Sequence, residues 1–66
     1  MNYYKMRVMI AEDAKAFLAK LPDASFTEFC QNTAKKYGVT KKTIESVLEE
    51  SYGVRFEEGQ LVRTIG

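Results

Sequence analysis

Apolar and polar positions change their period several times along this chain, and each change marks an element. The segment from Asn2 to Ile10, NYYKMRVMI, alternates: Tyr4, Met6, Val8 and Ile10 fall on one side, Tyr3, Lys5, Arg7 and Met9 on the other. With its β-forming residues, that period predicts a strand. From Ala11 the spacing becomes helical, with Ala14, Phe17, Leu18 and Leu21 at i, i+3, i+4 and i+7. A first helix is predicted up to Pro22, with Glu12 and Asp13 early and Lys20 late, in keeping with the helix dipole. Leu21 to Ala24 form a short connector. Ser25 with Glu28 three residues on is a capping box that starts a second helix at Phe26. Phe26, Phe29, Cys30, Ala34 and Tyr37 give its apolar face, and Gly38 supplies the left-handed residue that closes it. Val39 can plug the turn and Thr40 can cap a third helix, whose face is Ile44, Val47, Leu48 and Ser51, with Gly53 as its stop. Phe17, Leu18 and Leu21 are expected to pack against Phe29, Ala34, Ile44 and Leu48.

After Gly53, VRFEEGQLVRTIG reads as two short strands about Glu58-Gly59. Two registers are open. A two-residue turn pairs Phe56 with Leu61, whereas a type I turn with Gly59 as a bulge sets Val62 opposite Val54.

AKKYGVTKKTIESVL, Ala34 to Leu48, resembles the helix-turn-helix of DNA-binding regulators. Ala34 stands four residues before Gly38, where two helices cross closely, and Val39, Ile44 and Val47 occupy the family's apolar positions. Thr33 departs from it, an aliphatic residue being commoner there. The order helix, helix, helix, hairpin resembles the winged-helix type. The expected fold is therefore α+β: a three-helix helix-turn-helix core with an N-terminal strand and a C-terminal β-hairpin wing, one domain over residues 1–66. That strand would pair with the hairpin, replacing the short strand the family usually places between its first two helices. Strand-first order also resembles ribbon-helix-helix repressors, with Tyr3, Lys5 and Arg7 as base readers, but the helix Ala11 to Leu21 counts against that arrangement.

The resemblance implies a small sequence-specific DNA-binding protein, a transcriptional regulator or a phage- or plasmid-type accessory factor. Helix 40–52 would read the major groove of double-stranded DNA through Thr40, Lys41, Lys42, Thr43, Glu45 and Ser46. Charge placement points the same way. Lys41 and Lys42 sit at the positive end of their helix dipole and Glu49 and Glu50 at the negative end, each costing a few tenths to about 1 kcal/mol when exposed. A phosphate against the helix N-terminus would reverse the cost for the lysines.

Net charge is only +1, so any positive field has to be local. Between Glu28 and Glu45 there are four lysines, Lys35, Lys36, Lys41 and Lys42, and no carboxylate. The other six of the ten basic residues face all nine acidic ones. Lys35 and Lys36 join the candidate interface, although cations at a helix C-terminus are also stabilising in themselves. Glu57 and Glu58 make the hairpin tip acidic, which leaves Arg55 and Arg63 on its stem as the wing's DNA candidates. The acidic tip and near-zero charge also suit a competing function, a winged-helix protein-interaction module that binds a protein partner and no DNA.

Chemistry is sparsely provided. The chain has one cysteine and no histidine, so an internal disulfide, a histidine metal site and a histidine-based triad are excluded. Cys30 reads as a small core residue. No enzymatic activity and no cofactor are expected. No apolar run is longer than that of Val8 to Ala11, too short for a membrane span or signal-peptide core, and a cytoplasmic location is expected. A chain of 66 residues buries a modest core. A homodimer is therefore expected, through Tyr3, Tyr4 and Met9.

Overall fold

A computed structural model describes residues 2–63. Three helices, α1 (Tyr3–Ala19), α2 (Phe26–Tyr37) and α3 (Lys41–Tyr52), lead into strands β1 (Val54–Glu57) and β2 (Gln60–Arg63). The fold is α+β, a three-helix core followed by an antiparallel hairpin, an order compatible with a winged helix-turn-helix.

The expected N-terminal strand is instead the first half of α1. Asn2 caps this helix, its Oδ1 accepting the Lys5 N–H at 2.7 Å. Ile10, Ala14 and Phe17 form one buried stripe at i, i+4 and i+7, so the helical period already running from Ala14 extends backwards. Alternation and helical spacing both fit a run this short. A strand also needs a ladder, and the sheet among the described residues has only β1 and β2; within α1 the same backbone groups are satisfied locally. Glu12 and Asp13 consequently lie in mid-helix, and their expected role at the positive end of the dipole is lost. α1 ends at Ala19 with Lys20 as its cap.

Elsewhere the boundaries agree with the pattern of caps. Ser25 Oγ accepts the Glu28 N–H at 3.3 Å, Thr40 Oγ1 accepts the Thr43 N–H at 3.4 Å, and Gly38 and Gly53 close α2 and α3 at φ 67° and 64°. The hairpin adopts the two-residue register, with Phe56 opposite Leu61 and Glu57 opposite Gln60. Its turn residues Glu58 and Gly59 both have positive φ, 52° and 80°, as a type I′ turn requires.

The core joins Ala14 and Phe17 of α1, Phe26 and Cys30 of α2, Ile44 and Leu48 of α3 and Val54 of β1, with Leu18, Leu21, Phe29 and Ala34 packed at its edge. All four phenylalanines meet there. Phe17 stacks on Phe29 with centroids 4.5 Å apart, and Phe56 stacks on Phe26 at 4.1 Å, which seats the hairpin against α1 and α2. Phe17 touches Phe56 at 5.6 Å and closes the set. Burial and aromatic geometry both contribute to such a cluster, the latter about 0.5–1.5 kcal/mol per pair. Among the described residues, no helix is long and apolar enough to cross a membrane.

Candidate nucleic-acid interface

The turn between α2 and α3 is built from two backbone bonds onto one carbonyl. Both the Gly38 and the Val39 N–H reach Ala34 O, the latter at 3.1 Å, and Val39 tucks its side chain against the core. A Cβ on Gly38 would meet nothing within 4 Å. Glycine is required there by its positive φ rather than by crowding. Thr33, the departure from the family pattern, is buried at 5% exposure, and no buried side-chain polar atom of the described residues lacks a hydrogen bond.

This turn leaves the first turn of α3 on the surface. Thr40, Lys41 and Lys42 are exposed and Thr43 is half-buried, with its hydroxyl 3.4 Å from that of Thr40. Lys41 Nζ hangs 5.9 Å from the centre of the Phe26 ring, a loose cation–π approach. Ile44, Val47 and Leu48 face the core, so the opposite side of α3 carries Lys42, Glu45, Ser46, Glu49 and Glu50, which line a shallow groove. Cations occupy the N-terminal end of that side. Carboxylates occupy the rest.

The remaining candidates are placed less freely. Lys36 donates to Asp13 Oδ2 of α1 at 3.2 Å, and Tyr37 Oη donates to the same oxygen at 2.6 Å. Those bonds hold the Lys36 ammonium pKa above its ordinary value, Asp13 first and Tyr37 second, while burial and then Asp13 raise the Tyr37 phenol. Lys36 therefore ties α2 to α1. Lys35 is exposed and forms no ion pair among the described residues. On the hairpin, Arg55 pairs with Glu57 two residues along the same strand face at 2.8 Å, so this wing cation is already compensated. Arg63 ends β2 opposite Val54, and its side chain lies outside the described part of the chain.

One participant has no counterpart in the sequence reading of this surface. Arg7, assigned there to a strand, lies on α1 and reaches across to α3, donating to Ser46 Oγ at 3.4 Å and pairing with the Glu50 carboxylate. Its other nitrogen donates to Tyr3 Oη at 3.1 Å. The Tyr3 hydroxyl and then Glu50 hold the guanidinium pKa above its usual value. The spacing of Tyr3, Arg7, Ile10 and Ala14 at 4, 3 and 4 was the available signal. Ser46, expected to face a groove, is half-buried beneath this arginine.

Cys30 is 4% exposed, and burial pushes its thiol up to about 11, so it stays protonated and inert at neutral pH. Comparison with family models, curated proteins and solved structures gives no match to this chain.

Proposed function

We propose that the protein binds double-stranded DNA, with the first turn of α3 against the phosphate backbone at the edge of the major groove. The observation that carries this reading is the surface position of Thr40, Lys41 and Lys42 immediately after the α2–α3 turn, with Lys35 and Lys42 free of any acidic partner among the described residues. Backbone N–H groups at a helix start and nearby ammonium groups can serve the same phosphates. Thr43 is then the polar group on the groove side, with Ser46 held beneath Arg7, and Glu45 can accept from a cytosine amino group. Sequence-specific regulation of transcription is the role that fits such a module.

Salt titration of binding to duplex DNA tests the reading. Affinity should fall steeply as salt rises, because each neutralised phosphate releases counterions. Lys41→Glu combined with Lys42→Glu should weaken binding by roughly 100-fold or more, while thermal melting stays unchanged or rises slightly, since anions suit the first turn of a helix. Unaltered DNA binding by the double variant removes the assignment.

A second reading has its own support. Glu45 and Glu49 share the outward side of α3, and Glu57 and Glu58 lie at the hairpin turn. These carboxylates suit a basic protein partner, and in that case the wild-type chain shows no salt-sensitive DNA binding at all.

A further inference from the structure

Most of the exposed large apolar side chains of the described residues are concentrated in one half of one helix. Tyr3, Tyr4, Val8 and Met9 are 62%, 75%, 42% and 39% exposed, and only Leu61 joins them from elsewhere among the described residues. Tyr3 has a local use, since it holds Arg7. Tyr4 and Val8 make no polar contact of that kind: they stand one turn apart on the side of α1 that turns away from the buried Ile10, Ala14 and Phe17, at the rim of a shallow cleft between α1 and α3.

The charges on that side decide what can cover it. At about 100° per residue, Tyr4, Val8, Lys5, Glu12 and the exposed Lys15 fall within an arc of roughly 100°, Lys15 lying about 10 Å along the axis from the middle of the face. Lys5 and Glu12 are exposed and take part in no ion pair among the described residues. The midpoint between Val8 and Met9 is also the midpoint between Lys5 and Glu12, each lying about 5 Å from it along the axis. A second α1 laid antiparallel across that midpoint brings Lys5 level with Glu12 of the partner subunit, and two-fold symmetry repeats the pair. Val8 of both copies then meets at the middle of the seam, between the two ion pairs, and Tyr4 extends the apolar strip just beyond each pair. A parallel arrangement would set Lys5 against Lys5 and Glu12 against Glu12. The face is complementary to itself in one orientation only.

We infer that the exposed side of α1, which carries Tyr4 and Val8 together with Lys5 and Glu12, is an isologous interface for a second copy of this chain in antiparallel contact. The seam is short, and the dimer is of the micromolar, concentration-dependent kind. It leaves the α2–α3 turn and the first turn of α3 uncovered.

Sedimentation equilibrium of the intact protein tests this, with circular dichroism to follow the fold. The wild type should pass from the 7.5 kDa monomer to twice that mass as concentration rises into the high micromolar range. Tyr4→Glu with Val8→Glu should remain monomeric and keep its helical spectrum, because both positions are exposed. Lys5→Glu alone and Glu12→Lys alone should each weaken association by about threefold to tenfold, because each removes two rim ion pairs and creates like-charge contacts. The double swap, Lys5→Glu with Glu12→Lys, should restore wild-type association, since the exchanged charges meet again only across an antiparallel two-fold. Two results overturn the proposal. One is a wild-type chain that stays at 7.5 kDa up to several hundred micromolar, which hands the face to another occupant. The other is a double swap that dimerises no better than either single variant.

Discussion

The segment Ser25–Gly53 and the first half of α1 are both helical, yet they are held in different ways. In the first, every boundary carries its own local device: Ser25 and Thr40 bond the N–H groups three residues ahead, and Gly38 and Gly53 turn left-handed behind their helices. In the second, one cap at Asn2 is followed by side chains fixed from a distance. Arg7 is held by Ser46 and Glu50, at mid-helix the carbonyl of Ala11 accepts the Tyr52 hydroxyl at 2.6 Å, and just beyond it Asp13 accepts from Lys36 and Tyr37. Local punctuation survives translation into sequence rules. Contacts made across the fold do not.

The comparison breaks most severely at Ile10. Its side chain is fully buried in the half of α1 that has strand-like composition. Ile10→Ala should cost about 2–4 kcal/mol in urea unfolding, as for other buried aliphatic truncations. An edge-strand residue would lose far less, so a change below about 1 kcal/mol would count against the packed helix.

A pH series probes the other region at Cys30. Its thiol pKa is raised from 9.0 to about 11 in the fold, so burial favours the neutral form in the native state. The contribution is complete below the unfolded pKa near 9 and is lost as pH climbs through about 11. Wild type and Cys30→Ala should therefore differ less at pH 11.5 than at pH 8, by up to about 2–3 kcal/mol. A constant difference would mean that the thiol meets water.

Gly38→Val should cost about 2 kcal/mol, through backbone strain at φ 67° with no steric clash to add to it. Gly38→Asn, which tolerates that region better, should recover part of the loss in the same melt. Smallest is Tyr52→Phe, which removes the bond to Ala11 O and should cost about 1 kcal/mol. Together these two separate a local device from a distant one.

Legibility in the sequence follows the same division. Helix starts at Phe26 and after Thr40, the two glycine stops and the Glu58-Gly59 turn could be read because each depends on residues within a few positions of one another. The hairpin register, by contrast, stayed open between two pairings until the fold set Phe56 opposite Leu61. The first half of α1 could not be read. Tyr3, Tyr4, Val8 and Met9 stay at the surface on several sides of the helix, so its apolar residues blur the 3.6-residue period that Ile10, Ala14 and Phe17 would otherwise show. β-forming side chains then dominated the reading, although such propensities yield to tertiary context. At the candidate interface, the charges of α3 were legible as a list but not as a distribution. Only the fold reveals that Lys36 and Arg55 are engaged within the chain, and that Arg7 crosses from α1 to lie over Ser46.

The bond from Tyr52 to Ala11 joins positions 41 residues apart, and the Arg7–Glu50 pair spans 43. Closing loops of that length costs chain entropy before any contact is gained, whereas the α2–turn–α3 unit closes over a few residues. The two halves of the molecule should therefore acquire structure at different times. Substitutions at the turn would act mainly on the rate of folding, and substitutions where the first half of α1 docks would act mainly on the rate of unfolding.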